Sequence, residues 1–114
     1  MKKGDIFWAT SVPIVNKSGE FFYKSRPVII LSASSNFGVA QVVPLSAKID
    51  TNISNPNRII VGATENNLEM PSVAMVEHIC TISQTAFLNF LGTLDGDTMK
   101  IIEESVKVQL ELAD

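Results

Sequence analysis

The chain has 114 residues, 46% of them apolar, so we expect residues 1–114 to form a single domain with a buried core. A net charge of −3 argues against a generally basic nucleic-acid binder, and one cysteine with one histidine leaves no internal disulfide and no metal site expected. No apolar run reaches the roughly 18 to 20 residues that span a bilayer, and the chain opens directly into a strand pattern, so a cytoplasmic protein is expected.

The charges are unevenly divided along the chain. Residues 1–60 contain seven Lys or Arg against three Asp or Glu, a net charge of +4, whereas residues 61–114 contain two against nine, a net charge of −7. The attraction of a charged partner depends on the local electrostatic field. Residues 1–60 can therefore bind a polyanion although the net charge of the chain is negative. Chance clustering is the alternative explanation.

The first predicted strand covers residues 4–10, an aromatic and β-branched segment that begins at a Gly-Asp turn. Residues 11–25 are predicted to form a long loop, because they mix proline, asparagine, glycine and lysine. Loops of this length are commonly functional or disordered. The cluster Phe21-Phe22-Tyr23 in this loop is suited either to stacking on unpaired bases or to packing on the sheet.

A central strand is predicted from Val28 to Leu31, since an unbroken apolar run is expected when both faces of a strand are covered. Pro27 lacks an N–H and should be the first strand residue, which leaves Arg26 extended just outside the sheet. A fixed guanidinium there suits phosphate or carboxylate oxygens, because its planar fork matches them and keeps its charge. A surface arginine paired with a nearby acid is the alternative.

The next strand is predicted over residues 39–45, with Ser46 at its end. If it pairs with the central strand as an antiparallel hairpin about a turn at residues 34–38, Arg26 and Ser46 lie opposite each other. The two residues should then meet at one edge of the sheet. A further short strand is predicted over residues 58–61, between polar, turn-rich segments.

Residues 72–82 form a long β-type run that the polar pair Glu77 and His78 interrupts. Polar residues inside such a run need partners. After this run, Ser83 is predicted to cap a short helix over residues 85–90.

The final helix is predicted over about residues 97–112, with Asp95 or Asp97 as its cap. Its apolar residues recur at helical spacing: Met99, Ile102, Val106, Leu110 and Ala113, with Ile101, Val108 and Leu112 beside them. This stripe is wider than a helix lying on one sheet requires, which indicates a dimer or partner surface.

Motifs of serine hydrolases, phosphate-binding loops and dinucleotide sites are absent from the sequence. An arginine and a hydroxyl at one sheet edge remain, with basic segments around them. This set suits a substrate that brings its own nucleophile. In RNA the 2′-hydroxyl lies beside the scissile phosphate, so an enzyme needs positioning, proton transfer and a cation for the developing charge, without a metal.

Several segments carry a family resemblance, in order, along nearly the whole chain: KKGDIFWA, SRPVIILS, VVPLSAKI, SVAMVEHICTI and LGTLDGDTMKIIEESVKVQLEL. Together they resemble the MazF/PemK family of toxin endoribonucleases from type II toxin–antitoxin modules. The resemblance implies a mostly β fold with α, a small SH3-like (MazF/PemK/CcdB-like) barrel with a short helix and a C-terminal helix. It also implies a homodimer and metal-independent, sequence-specific cleavage of single-stranded RNA, such as mRNA, without a cofactor. The cleavage would proceed by 2′-hydroxyl attack and leave a 2′,3′-cyclic phosphate and a 5′-hydroxyl.

The resemblance also implies site residues and partners. The family's catalytic arginine falls on Arg26 and its catalytic threonine on Ser46, which keeps the hydroxyl and loses the methyl group. The residues expected to bind RNA are Lys17, Glu20, Phe22, Lys24, Lys48, Glu77 and His78. The expected protein partner is a cognate antitoxin, whose acidic, partly disordered segment would cover the Arg26 edge. No membrane partner is expected.

The chain departs from the family pattern in the segment before Arg-Pro. Family members often carry Gly-Ser-Glu-Gln-x-Gly there, whereas this chain has KSGEFFYK at residues 17–24. Where the family has an acid–Gln pair, this chain has Glu77-His78. Where a basic residue often precedes Thr-Ile in the family, this chain has Cys80. The second hypothesis is therefore a catalytically inactive SH3-like module that binds nucleic acid or a protein partner through the same edge.

Overall fold

The computed structural model describes residues 1–34, 37–47, 58–62, 68 and 70–112. These residues form strands, one α-helix and short 3-10 turns. The strands are β1 (Asp5–Val15), β2 (Phe21–Ser34), β3 (Val39–Ser46), β4 (Arg58–Val61), β5 (Ser72–Met75), β6 (Cys80–Ser83) and β7 (Phe87–Thr93). The helix α1 is Gly96–Gln109, and the 3-10 turns are Val76–His78 and Gln84–Ala86.

Every strand pair that the structure describes is antiparallel. The sheet order is β4-β5-β3-β2-β1-β7, with β6 paired to β3. The sheet curls into a half-barrel, and α1 packs against β4 and the 76–78 turn. The expected fold class, a mostly β, SH3-like barrel with a C-terminal helix, is confirmed.

Apolar side chains fill a buried cluster on each face of β2. Ile29 belongs to the cluster under α1 together with Met99 and Ile102, whereas its neighbours Val28 and Ile30 belong to the other cluster. Successive side chains of a strand point to opposite faces, so an unbroken apolar run is what both clusters require. The predicted central strand is therefore confirmed as part of the longer strand β2.

The predicted long loop over residues 11–25 is wrong, since β1 continues to Val15 and pairs with β2 along most of this segment. Buried Val12 and Ile14 alternate with more exposed neighbours, which is a strand pattern. This alternation outweighs the turn-forming residues on which the prediction depended. We call the resulting two-stranded ribbon, residues 12–24, the arm.

The arm begins at a β-bulge and ends in a tight turn. The register of β1 against β2 shifts around Ser11, which has a positive φ of 54°. At the tip, the side-chain oxygen of Asn16 accepts hydrogen bonds from the backbone N–H groups of Ser18 and Glu20, at 2.9 and 3.0 Å. A bulge bends a strand, so the arm changes direction here, while Val12 at its base stays buried in the core cluster that includes Val28 and Ile30.

The predicted short helix over residues 85–90 is also wrong, because a 3-10 turn is followed there by β7. Ser83 does cap the turn, accepting a hydrogen bond from a backbone N–H at 3.2 Å. Phe7 of β1 makes edge-to-face contacts with Phe87 and Phe90, with ring centroids 5.2 and 5.5 Å apart. Pairing with β1 outweighs the helical spacing, since so short a helix is marginal by itself.

The predicted final helix is confirmed as α1, and Asp95 is its N-cap. The Asp95 carboxylate accepts hydrogen bonds from the hydroxyl and the backbone N–H of Thr98, at 2.7 and 3.0 Å. These bonds hold the pKa of Asp95 below its ordinary value. No helix in the described part of the chain is long and apolar enough to cross a membrane.

Candidate active site

Arg26 lies within β2, opposite Ala9 of β1, and its side chain is half-buried. The prediction that Arg26 stands just outside the sheet, with Pro27 as the first strand residue, is therefore wrong. Pairing between β2 and β3 begins at Val28, so Pro27 lies just beyond that ladder, where a missing N–H is tolerated. The strand extends past Pro27 because β1 still pairs with it.

The β2–β3 hairpin brings Arg26 to the end of β3. Val28 pairs with Pro44, and the same register continued along both strands sets Arg26 opposite Ser46. The Nη1 atom of Arg26 donates a hydrogen bond of 3.4 Å to the carbonyl oxygen of Leu45, the residue before Ser46. The hairpin register thus supports the prediction that both residues share one edge.

Ser46 is the last residue of β3 and is half-buried. It pairs with Val73 of β5, so β3 passes at this end from β2 to β5. The backbone that carries the hydroxyl is therefore held by the sheet.

Burial changes the chemistry of Arg26. Desolvation lowers the pKa of its guanidinium, although an arginine remains charged at neutral pH. Its Nε is buried and has no hydrogen-bond partner among the residues that the structure describes. A buried donor without a partner is costly, so an anionic oxygen bound at this edge would satisfy it.

Phe22, Lys24 and Arg26 form a row on one face of β2, because alternate residues of a strand share a face. Successive members of the row are about 6.7 Å apart along the strand. Phe22 and Lys24 are exposed, whereas their partners on β1, Ile14 and Val12, are buried. A ring, an ammonium group and a guanidinium in one row suit a single-stranded nucleic acid, because its bases stack on aromatic rings and its phosphates pair with cations.

The other residues expected to bind RNA do not belong to this row. Lys17 and Glu20 are exposed in the turn at the tip of the arm. The predicted contact of Lys48 lies outside the described residues. The structure thus brings Phe22 and Lys24 into line with Arg26, and it sets Lys17 and Glu20 at the far end of the arm.

Glu77 and His78 lie in the 76–78 turn, which confirms the predicted interruption of the strand run. The Nδ1 atom of His78 is 3.6 Å from the Glu77 carboxylate, and its Nε2 is 3.1 Å from the backbone carbonyl oxygen of Val15. The His78 side chain is only 11% exposed. The turn therefore contacts the arm, and a direct contact of either side chain with RNA stays a prediction.

Metal binding and thiolate chemistry find no support among the described residues. Among the described residues, no group of His, Cys, Asp or Glu side chains is placed to hold a metal ion. Burial raises the pKa of the Cys80 thiol to about 11, so it is not a thiolate at neutral pH. A guanidinium and a hydroxyl can stabilise negative charge on a phosphate and assist a proton transfer.

Sequence reasoning did not find two features of the arm. Phe21 and Tyr23 are 68% and 67% exposed, on the face of β2 opposite to Phe22. Strand periodicity would have separated these faces if the segment had been assigned to a strand. The contact between His78 and Val15 has no signal in the sequence, since it joins distant parts of the chain.

Solved toxin structures share this fold. The Mycobacterium tuberculosis toxin MazF-mt6 superposes with a TM-score of 0.72 at 20% identity, covering 96% of this chain and 99% of that chain. MazF from Deinococcus radiodurans gives 0.76 at 15% identity, covering 97% and 96%. A mycobacterial endoribonuclease in complex with its cognate antitoxin gives 0.74 at 17% identity, covering 100% and 98%. At these identities the likeness establishes the fold.

A family model gives the second comparison. Among curated proteins, no sequence matches the chain. The model of PemK-like, MazF-like toxins of type II toxin–antitoxin systems matches residues 2–110, a span that includes the whole sheet and α1. The resemblance inferred from the sequence is thus confirmed, and the chain belongs to the family of PemK-like, MazF-like toxins of type II toxin–antitoxin systems.

Proposed function

We propose that this protein is a metal-independent endoribonuclease that cleaves single-stranded RNA, including messenger RNA, at short sequences. The observation that carries the proposal is the hydrogen bond from Arg26 to Leu45, which keeps a guanidinium at the strand end that bears Ser46. Family membership supports it, and a structurally similar mycobacterial protein is described as an endoribonuclease. Residues 1–114 would act as one domain, in the cytoplasm where messenger RNA is found.

In the proposed reaction the substrate supplies the nucleophile. The 2′-oxygen of RNA loses its proton to water and attacks the adjacent phosphorus, and the bond from phosphorus to the 5′-oxygen breaks. The 5′-oxygen takes up a proton, so the products are a 2′,3′-cyclic phosphate and a 5′-hydroxyl. Arg26 stabilises the extra negative charge on the pentacoordinate phosphate, and its buried Nε is available to a non-bridging oxygen. Ser46 hydrogen-bonds a non-bridging oxygen, or passes its proton to the leaving 5′-oxygen and recovers one from water.

The RNA strand is proposed to follow the row on β2. Phe22 stacks on a base, and Lys24 pairs with a phosphate next to the scissile one. Lys17 and Glu20 contact nucleotides at the tip of the arm. Lys48 and Glu77 complete the proposed set of direct RNA contacts. Stacking requires unpaired bases, which is why single-stranded RNA is the proposed substrate.

We propose a homodimer that covers the outer side of α1. Ile101, Val108 and Leu112 are each more than half exposed, although Met99 and Ile102 of the same segment are buried in the core. Apolar surface left exposed on so small a protein favours association with a second copy. Sedimentation at micromolar concentration should give about twice the chain mass of 12.4 kDa. A species of the single-chain mass at that concentration would contradict the homodimer.

A cognate antitoxin is the proposed regulating partner. The structurally similar MazF from Deinococcus radiodurans has been solved with MazE, and a mycobacterial endoribonuclease has been solved with its cognate antitoxin. An acidic, partly disordered segment would fold over the arm and the Arg26 edge, where Lys17 and Lys24 supply complementary charge. The bound antitoxin should therefore stop RNA cleavage. A complex that cleaves RNA as fast as the unbound toxin would contradict this part of the proposal.

Incubation of the purified protein with a long single-stranded RNA in EDTA tests the function. We expect cleavage at a recurring short sequence, with 2′,3′-cyclic phosphate and 5′-hydroxyl ends. Cleavage that requires a divalent cation, or that leaves 3′-hydroxyl ends, would contradict the mechanism. RNA binding without cleavage would favour the inactive SH3-like module, for which the unusual sequence at residues 17–24 is the supporting observation.

A further inference from the structure

We propose that His78 is a positioning residue that anchors the arm through the backbone carbonyl of Val15. By fixing the arm, His78 sets how tightly Phe22 and Lys24 hold RNA. The effect on RNA rests on the proposed function, whereas the anchoring itself does not.

The arm needs an anchor because of how it is built. Residues 12–15 pair with residues 21–24 as a ribbon, and the register shift around Ser11 lies at its base. Ribbons of two strands are marginally stable by themselves, and a bulge is a place where a strand bends. Val12 fixes the base of the arm in the core, so the direction of the outer part depends on the contacts made near the tip.

The far end of the arm is closed, so an anchor at Val15 acts on the whole ribbon. The backbone N–H of Asn16 donates to the carbonyl of Glu20 at 3.0 Å, and that of Gly19 donates to the carbonyl of Asn16 at 3.0 Å. Gly19 has a φ of 80°, a left-handed conformation that glycine adopts without strain. Val15 precedes this turn directly, so fixing its carbonyl fixes the turn and the start of β2.

The 76–78 turn that carries His78 is firmly held. Val76 is fully buried in the cluster under α1, and Ile79 packs against the same cluster. The backbone N–H of Ile79 donates to the carbonyl of Val76 at 3.2 Å, and α1 packs on the turn. His78 thus joins a turn that the core holds firmly to the outer part of the ribbon.

The ring of His78 is committed to this contact. Because the partner is a carbonyl oxygen, Nε2 must be the donor, and the neutral ring then carries its proton on Nε2. Its Nδ1 faces the Glu77 carboxylate at 3.6 Å. Because Nε2 bonds the carbonyl of Val15 and little of the ring is exposed, His78 has little surface available for RNA. Its influence on the substrate therefore passes through the arm.

Two variants and a matched control test the anchor by amide hydrogen exchange. His78→Ala removes the donor, whereas His78→Gln keeps an N–H at a similar reach. Gln84→Ala is the control, because Gln84 donates a side-chain bond of the same 3.1 Å length to the carbonyl of Val39, at the other end of β3 from Ser46. We expect exchange of the arm amides to accelerate about 10-fold in His78→Ala, the order of one lost hydrogen bond, and to stay unchanged in His78→Gln and Gln84→Ala.

RNA binding gives the second readout. In His78→Ala the Kd for uncleaved RNA should rise about 10-fold, while the cleavage rate at saturating RNA stays within about 3-fold of wild type. His78→Gln should restore the Kd. A Kd that does not change while the saturating rate collapses would overturn the positioning role.

The wild-type protein provides a test that needs no variant. Nitrogen chemical shifts of the His78 ring in its neutral form should show the Nε2-protonated tautomer, and the Nδ1-protonated tautomer would overturn the anchor. Unchanged arm exchange in a folded His78→Ala would overturn it as well. If the wild type cleaves no RNA but the arm amides of His78→Ala exchange faster, the anchor stands and the proposed function fails.

Discussion

The edge with Arg26 and Ser46 and the arm with Phe22 and Lys24 share strand β2 but differ in how the backbone is held. At the edge, Arg26 pairs with β1 next to the point where the β2–β3 ladder begins at Val28, and Ser46 of β3 pairs onward with β5. In the arm, β2 pairs with β1 beyond a bulge. Groups that act on a reacting phosphate need fixed positions, whereas groups that hold flanking nucleotides can stand on a part that bends. The difference predicts separate effects on rate and on affinity.

Replacement of Arg26, on the rigid edge, should lower the cleavage rate more than any other substitution. Loss of one oxyanion donor typically lowers the rate by about 10²- to 10³-fold, and a guanidinium supplies several donors, so Arg26→Ala should lose at least this much. Arg26→Lys keeps the charge but not the planar fork and should recover little. The cleavage rate at saturating RNA measures both, with thermal unfolding as the control for the fold. A lysine variant near the wild-type rate would mean that charge suffices without the fork.

Ser46 gives a chemically finer test of the same edge. Ser46→Ala removes one donor and should lower the saturating rate by about 10²- to 10³-fold. Ser46→Thr keeps the hydroxyl at the end of β3, so we expect it to stay within about 10-fold of wild type. Equal inactivity of the alanine and threonine variants would show that the hydroxyl is not the functional group.

On the arm, Lys24→Ala should lower the affinity for RNA. A lysine that contacts one phosphate contributes about one unit to the slope of log K against log salt, so the variant should weaken RNA binding and lower that slope by about one. Its saturating cleavage rate should not change. Lys2→Ala, at an exposed position outside both the arm and α1, is the matched control and should change neither quantity. A fall in saturating rate as large as that of Ser46→Ala would remove the distinction between edge and arm.

The smallest effect on RNA cleavage is expected from Asp95, which lies in neither region. Asp95→Ala removes the N-cap of α1 and should lower the Tm at neutral pH while leaving the cleavage rate unchanged. Hydrogen bonds from Thr98 hold the pKa of Asp95 below its ordinary 3.8, so this stabilisation is present above that value and is lost as the pH falls through the lower, folded value. The Tm values of wild type and variant should therefore converge in acid. A constant difference down to the lowest pH would contradict the role of the carboxylate.

The edge was predictable from the sequence and the arm was not, for physical reasons. An apolar run on β2, a turn and a second run determine the β2–β3 hairpin locally. Its register shifts by one residue between Ile30 and Ser32, and this shift, which the turn position does not determine, sets Arg26 opposite Ser46. The arm forms because β1 pairs with the start of β2, and β7 forms because it pairs with β1. Residue propensities do not encode such pairing. Pro13 and the turn residues near it favoured a loop, yet the buried alternation of Val12 and Ile14 decides the outcome. The β-bulge and the His78 anchor arise from tertiary contacts.

The central claim is that Arg26 and Ser46 act on one phosphate as a unit. The most direct measurement is the single-turnover rate of cleavage at saturating RNA in EDTA, for Arg26→Ala, Ser46→Ala and the double variant. Groups that act together fail together, so the double variant should be little slower than the slower single variant. Losses that multiply in the double variant, or a folded Arg26→Ala protein that cleaves RNA at the wild-type rate, would contradict this claim.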